Sequence, residues 1–129
     1  MNTQTFYHDL ATFRYNEEKG VIKLEGRFIS FNPEDFWELI ISNSDRIASK
    51  AEKLRIDLNI EYISSSDLKF LFMMLKSVLK TKMPYTKLVV NWNYEPFDND
   101  HLELGRLIGE SMPDITKFQF IENWGDIAA

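Results

Sequence analysis

Residues 54–67, which read LRIDLNIEYISSSD, decide the fold of this chain. Apolar and polar side chains alternate between Leu54 and Tyr62, as they do in a β-strand with one buried face and one face in water. Three serines and an aspartate follow after Ile63, and these residue types are preferred where helices begin. The stretch therefore predicts a strand that leads straight into a helix, within a sheet that has one polar face.

The rest of the chain continues this alternation of strand and helix. Further strands are predicted over four segments, residues 12–15, 21–26, 87–94 and 115–122. Helices are predicted over about residues 32–49, 64–82 and 98–112, each beginning with polar or acidic residues. The order ββαβαβαβ predicts an α/β single-domain sandwich over residues 1–129, in which a mixed five-stranded sheet carries three main helices on right-handed crossovers. Residues 1–11 are expected to form an N-terminal arm outside the sheet.

The composition is that of a soluble globular protein. Of 129 residues, 44% are hydrophobic and 27% are charged, and no apolar run reaches the roughly 18 residues of a membrane span. The net charge is −5, and no cluster of lysines and arginines offers phosphates a basic surface. The chain has no cysteine, which excludes disulfides and thiolate chemistry and suits a reducing compartment. We therefore expect a cytoplasmic protein with no secretory signal, no nucleic-acid partner and no membrane partner.

Catalytic and metal-binding patterns are missing from the sequence. The two histidines are His8, in an N-terminal segment expected to fray, and His101, expected to face solvent in the first turn of the third helix. Asp98, Asp100 and Glu103 lie beside His101, where the helix dipole favours negative charge. Their spacing fits neither an EF-hand nor a zinc-protease motif, and no glycine-rich phosphate loop is present. The sequence predicts a protein that is not an enzyme, with no catalytic residue, no metal and no cofactor.

The serine run at Ser64, Ser65 and Ser66 is the unusual feature of the chain. A helix N-terminus exposes free backbone N–H groups, and one serine is well explained as the cap that accepts from them. The same N–H groups and the helix dipole would stabilise a phosphoryl group on one of the hydroxyls. Lys69, four residues after Ser65, would pair with that phosphate, whereas Asp67 would oppose it. The residues alone leave both interpretations open, a helix cap and a phosphorylation site.

Three blocks of sequence resemble the SiaC family of bacterial regulatory phosphoproteins. Residues 62–69, YISSSDLK, resemble the family's Tyr-x-Asn-Thr-Ser-Ser-x-Lys segment. The block from Gly26 to Asp35 resembles its Gly-x-Ser-Tyr-Pro-Glu-Asn segment, but is two residues longer and lacks the Ser-Tyr pair. The third block resembles the family's Trp-x-Tyr, Asp-x-Asp and Glu-x-Gly pattern at Trp92, Tyr94, Asp98, Asp100, Glu103 and Gly105. The three blocks follow one another in the family's order over about residues 20–122.

This resemblance implies a STAS-like fold, similar to that of anti-sigma-factor antagonists, and a phosphorylation switch. In such a switch a protein kinase and a PPM-type phosphatase interconvert two forms, and the unphosphorylated form binds and regulates a target such as a diguanylate cyclase. The aligned phosphoacceptor is Ser65, with Ser64 and Ser66 as alternatives. Ser64 stands where the family has Asn, Ser65 where it has Thr, and Asp67 where it has Ser. The competing interpretations are a constitutive protein adaptor whose serines only cap the helix, and a STAS-type domain that binds a small molecule.

The second helix also carries apolar residues away from its main apolar stripe. Phe70 and Met73 lie opposite that stripe on a helical wheel, and Met74 lies at the edge of the side that they share. One interpretation is that another segment, such as the N-terminal arm, covers them. The other is that they are anchors for a partner protein, one turn from the serines. Phe70, Met73 and Met74 are therefore candidate partner-binding residues.

Overall fold

The computed structural model of the chain describes residues 3–123, which form six strands and three helices. The strands are β1 (Thr3–His8), β2 (Ala11–Asn16), β3 (Val21–Phe28), β4 (Lys53–Ile63), β5 (Lys87–Tyr94) and β6 (Lys117–Glu122). The helices are α1 (Glu34–Ala48), α2 (Ser65–Thr81) and α3 (Asn99–Ser111). None of these helices combines the length and the apolar character that crossing a membrane requires.

All three helices lie on one face of the sheet because of the order in which the strands are connected. The strand order is β1-β2-β3-β4-β5-β6, with antiparallel pairs up to β3 and parallel pairs from β3 to β6. Each parallel connection passes through one helix and advances one strand in the same direction. Right-handed crossovers of this kind place every helix on the same side of the sheet. The carboxyl ends of β3 to β6 consequently share one edge of the domain.

The core lies between the helices and the sheet face that they cover. Every second residue of the central strand β4 is buried there, at Leu54, Ile56, Leu58 and Ile60. The residues between them lie on the open face, where Asp57 accepts hydrogen bonds from Arg55 Nε at 3.1 Å and from Asn91 Nδ2 at 2.7 Å. The alternation in the sequence thus correctly predicted a sheet with one buried face and one polar face.

The sheet has six strands where the sequence predicted five, because residues 3–8 form β1 instead of an arm. β1 pairs antiparallel with β2, and Phe6 lies opposite Phe13 with their ring centroids 5.9 Å apart. The His8 ring stacks on Phe36 of α1 at 5.0 Å. The turn before β2 contains neither glycine nor asparagine, and Asp9 supplies its positive φ of 52°. A six-residue strand behind this unusual turn left too weak a pattern to be recognised.

A bulge near the end of β4 reverses the side on which its last residues lie. Gly26 pairs with Ile60 but Arg27 pairs with Tyr62, so Glu61 is the extra residue. Tyr62 therefore leaves the buried face on which the alternation had placed it and is 50% exposed, while Ile63 turns toward the core. Gly26 has a φ of +101°, and a Cβ there would overlap the Leu10 carbonyl oxygen. Glycine is thus the residue that lets the β1–β2 turn lie this close to β3.

Two helix and strand starts also differ from the sequence prediction. The helix predicted from about residue 32 begins at Glu34 with Pro33 as its N-cap, and no side chain caps it. β6 begins at Lys117 instead of residue 115, because Ile115 still belongs to the turn after α3. On β6, Phe118 is partly buried but Phe120 is 41% exposed.

Candidate functional site

The β4–α2 junction places the three serines at the carboxyl edge of the sheet. The Ser64 N–H donates to the Phe28 carbonyl oxygen at 2.9 Å, which fixes the junction to the end of β3. Ser64 has an extended backbone, and its Oγ accepts from the Asp67 N–H at 3.1 Å. Ser64 is therefore the N-cap of α2, as the capping interpretation requires.

Asp67 completes the junction from inside. Its side chain is only 1% exposed, although the residue type is rarely buried unless it is paired. One carboxylate oxygen accepts from Ser64 Oγ at 2.6 Å, and the other accepts from the Trp37 indole N–H at 2.8 Å. The Ser64 hydroxyl thus both donates and accepts within the fold. The Asp67 charge, expected from the sequence to oppose a phosphate, is directed inward and satisfied there.

Ser65 and Ser66 present the opposite situation in the first turn of α2. Both residues are exposed, and neither hydroxyl has a hydrogen-bond partner among residues 3–123. Lys69 is exposed as well, one helical turn further on, and no carboxylate of the described chain pairs with it. The geometry separates one serine that is used by the fold from two that are available to solvent.

The candidate partner-binding residues of α2 are not all on the surface. Met74 is completely buried, so it does not belong to any exposed surface of this structure. Phe70 is partly buried and stacks on Trp37 of α1 with ring centroids 6.2 Å apart, and only Met73 is largely exposed, at 46%. The helical wheel placed Met74 wrongly because α2 packs against α1 as well as the sheet and so buries two stripes.

A more exposed apolar surface lies at the same edge as the serines. We name it the loop rim, and it consists of Ile29, Phe31 and Tyr62. Phe31 is fully exposed and Ile29 is 42% exposed, both in the loop that follows β3, directly beyond the Phe28 carbonyl that holds Ser64. The Arg27 guanidinium lies over the Tyr62 ring at 5.6 Å. The sequence analysis missed this surface, and its signal was the two extra residues between Gly26 and Asp35.

Comparison with known proteins identifies the family of this chain. A family model described as SiaC family regulatory phosphoprotein matches residues 4–123. The chain belongs to the SiaC family. No curated protein sequence matches the chain.

Solved SiaC structures have the same fold. The crystal structure of the diguanylate cyclase SiaD with its activator SiaC from Pseudomonas aeruginosa has a TM-score of 0.80 at 14% identity, covering 93% of this chain and 99% of that one. SiaC of Pseudomonas aeruginosa gives a TM-score of 0.72 at 16% identity, covering 95% and 100%. Its apo form gives 0.68 at 17% identity, covering 95% and 99%. At these identities the likeness concerns the fold.

The third SiaC-like block is mainly structural in this chain. Trp92 is fully buried, and its indole N–H donates to the His101 carbonyl oxygen at 3.0 Å. Gly105 lies so close to the indole that an added Cβ would come within 2.5 Å of it. Asp98 caps α3 by accepting from the His101 N–H at 3.1 Å. Tyr94 is partly buried against the core, while Asp100 and Glu103 are exposed.

His101 does not face solvent as the sequence analysis expected. Its ring stacks on Trp92 with centroids 4.6 Å apart, and Nε2 is buried without a hydrogen-bond partner among the described residues. This burial lowers the pKa of His101 below the ordinary value of 6.5, although the nearby Asp98 charge acts in the other direction. Residues 3–123 contain no group of three or more potential ligands that could hold a metal ion. The ring of His101 is therefore a packing element of the β5–α3 junction.

Proposed function

We propose that this SiaC-family protein is a non-catalytic phosphorylation switch with Ser65 as its phosphoacceptor. A protein kinase adds the phosphate, a PPM-type phosphatase removes it, and the unphosphorylated form binds a diguanylate cyclase in the cytoplasm. The observation that supports this proposal is a difference between two serines. Ser64 is hydrogen-bonded to Asp67, whereas Ser65 is exposed at the first position of α2. The family match supports the regulatory role, and the SiaC–SiaD complex supports a cyclase as the class of target.

The junction is suited to carrying a phosphate without unfolding. A phosphate on Ser65 would meet the positive end of the α2 dipole, which favours an anion by roughly 0.3–1 kcal/mol. Lys69 is one turn away and has no other partner in the described chain. The Asp67 carboxylate is directed away from solvent and held by two hydrogen bonds. Phosphorylation is therefore expected to change the surface and leave the fold intact.

The loop rim is the surface on which such a change would act. Ile29 and Phe31 extend beyond the Phe28 carbonyl to which the Ser64 N–H is bonded, so the phosphate would stand beside an apolar contact. A phosphoserine carries roughly −1.5 to −2 charges, and removing it from water without a paired cation costs several kcal/mol. Each 1.4 kcal/mol is about tenfold in affinity. We propose that phosphorylation weakens target binding through this local cost.

Mass spectrometry locates the modification. The wild-type chain and the matched variants Ser65→Ala and Ser66→Ala are isolated from the native bacterium, and intact and fragment masses are recorded. We expect one phosphate in the wild type and in Ser66→Ala, and none in Ser65→Ala. Phosphate retained in Ser65→Ala but absent from Ser66→Ala assigns Ser66 instead, and an unmodified wild type under every growth condition contradicts the switch.

Calorimetric titration tests the readout. Phosphoserine is incorporated at position 65 by genetic encoding. The phosphorylated chain is then titrated into the diguanylate cyclase whose gene lies nearest to the gene of this protein. We expect the unmodified chain to bind and phosphorylated Ser65 to weaken binding at least about tenfold. Phe31→Ala should weaken binding in the same direction with little change in unfolding, whereas Leu107→Ala, an exposed apolar control on α3, should not. Equal binding by both phosphorylation states would favour the constitutive adaptor.

A further inference from the structure

The outer edge of β1 is open, which makes β1 different from the four strands that lie inside the sheet. β1 pairs with β2 on one side, and no strand among residues 3–123 pairs with its other side. An edge strand of this kind presents unpaired N–H and C=O groups. Another β-strand can form hydrogen bonds with all of them. Any partner of this edge must therefore supply extended backbone.

β1 also lacks the devices with which proteins usually protect a sheet edge. Its sequence, TQTFYH, has no lysine, arginine, aspartate, glutamate, proline or glycine. β6, the other edge, begins with Lys117 and ends with Glu122. Charges of this kind discourage pairing between edges, so β6 is protected in a way that β1 is not. In a chain with a net charge of −5, β1 is a segment where two copies can meet without opposing like charges.

β1 is complementary to a second copy of itself. When two antiparallel copies pair about a two-fold axis perpendicular to the sheet, Phe6 lies opposite Phe6, Thr5 opposite Tyr7, and Gln4 opposite His8. Phe6 lies on the helix side, where its ring already stacks on Phe13 and Tyr15 at 5.9 and 6.1 Å. The partner's Phe6 ring would extend this row of aromatic rings, and Tyr7, which is 74% exposed, would lose solvent contact on the open side.

We propose that two copies of this chain associate through β1 to form one continuous twelve-stranded sheet. The pairing joins five residues of β1 from each copy, residues 4–8, so it is short and the dimer is weak and concentration-dependent. β4, which leads to Ser65, is the fourth strand counted from this edge. The serines and the loop rim therefore stay outside the contact. The inference is independent of the proposed phosphorylation switch.

Sedimentation velocity tests the dimer over roughly a hundredfold range of concentration. The double variant Thr5→Lys, Tyr7→Lys would bring lysines opposite one another across the pair on the open face. Gln119→Lys on β6 is the control, because it adds a lysine on the same face at the other edge. We expect the wild type and Gln119→Lys to shift from monomer to dimer together, and the double variant to need at least about tenfold more protein.

Hydrogen exchange of the wild type gives a second reading that needs no variant. We expect about half of the amides of β1, those whose N–H groups point away from β2, to become protected only at high concentration. A wild type that stays monomeric over the whole range overturns the proposal, as does a double variant that dimerises like the wild type. A dimer dissociated by Gln119→Lys, or one that protects β6 amides instead, assigns the contact to the other edge and also overturns it.

Discussion

At the β4–α2 junction the helix is capped by a hydroxyl, and at the β5–α3 junction it is capped by a carboxylate. Ser64 Oγ accepts from the Asp67 N–H, and Asp98 Oδ1 accepts from the His101 N–H, both at 3.1 Å. A buried tryptophan N–H reaches into each first turn, from Trp37 to the Asp67 carboxylate and from Trp92 to the His101 carbonyl oxygen. The two junctions therefore share a construction and differ in the chemical groups that remain.

The difference decides which junction is able to receive a modification. After Ser64 has been used as a cap, two exposed hydroxyls remain in the first turn of α2. Residues 98–103 read DNDHLE and contain no hydroxyl side chain, while their acids already satisfy the helix dipole. His101 and Trp92 also stack against each other there. The first junction thus keeps two hydroxyl groups exposed at its surface. The groups of the second junction pack α3 against the sheet.

The largest expected effect comes from removing Asp67. Asp67→Ala leaves the buried Trp37 N–H and the Ser64 hydroxyl without their acceptor, which we expect to cost about 3 kcal/mol of unfolding free energy. Urea unfolding measures the loss. Asp100→Ala, which removes an exposed acid from the other junction, should stay within about 0.5 kcal/mol of the wild type. Equal losses in the two variants would show that the hydrogen bonds accepted by Asp67 do not stabilise the junction.

A smaller loss is expected when the second junction is overpacked. Gly105→Ala would press a Cβ to within 2.5 Å of the Trp92 indole, and overpacking of this kind costs about 2 kcal/mol. Gly109→Ala is the control on the same helix, because its Cβ would come no closer than 3.1 Å to the Phe118 ring. Thermal unfolding should separate the two variants clearly. A Gly105→Ala protein as stable as Gly109→Ala would mean that Trp92 has room to move.

Exchanging the caps tests whether the two junctions are interchangeable. Asp98→Ser replaces one good cap with another and should change stability by less than about 0.5 kcal/mol. Ser64→Asp would place a second carboxylate against Asp67, where the hydroxyl now lies 2.6 Å from Oδ2, and should cost about 1.5 kcal/mol. Chemical unfolding at neutral pH measures both. If both exchanges proved harmless, the hydroxyl at position 64 would not be required by Asp67.

The smallest effect is a pH dependence that belongs to the second junction alone. Burial lowers the pKa of His101 in the folded chain, so below the unfolded value of 6.5 the unfolded chain binds a proton that the folded chain resists. The stability contributed by neutral His101 is therefore complete above pH 6.5 and is lost as the pH falls toward the folded pKa. His101→Phe keeps a ring against Trp92 and should flatten this part of the profile. Unfolding midpoints compared between about pH 7.5 and about pH 5.5 measure the difference, and identical slopes for both proteins would exclude His101 as the cause.

Local patterns were sufficient for most of the fold. The alternation at residues 54–60 and the polar starts at Ser64 and Asp98 predicted the central strand and two helices, because side-chain period and capping are properties of neighbouring residues. The extra strand β1, the bulge at Glu61 and the burial of Met74 depend on what packs alongside, and a single segment does not contain that information.

The same distinction applies to the candidate site. The sequence predicted the serine run at a helix start, since residue type and position carry that signal. It did not predict that Ser64 is bound by a buried aspartate, because the Trp37 donor lies thirty residues away in the chain. It assigned His101 to solvent for a related reason, since the Trp92 ring that covers it comes from another element.

The bulge at Glu61 lies between the regular part of β4 and the Ser64–Ser65 helix start. Glu61 is an extra residue between Ile60 and Tyr62. Regular pairing with β3 resumes after it, at Tyr62 and Ile63, before the helix begins. What sets the position of Ser65 is the bond from the Ser64 N–H to the Phe28 carbonyl, which lies after the bulge. The β-bulge therefore separates the regular part of β4 from the residues that hold the helix start. The Ser65 hydroxyl is thus positioned by a hydrogen bond that lies beyond the irregular part of the strand.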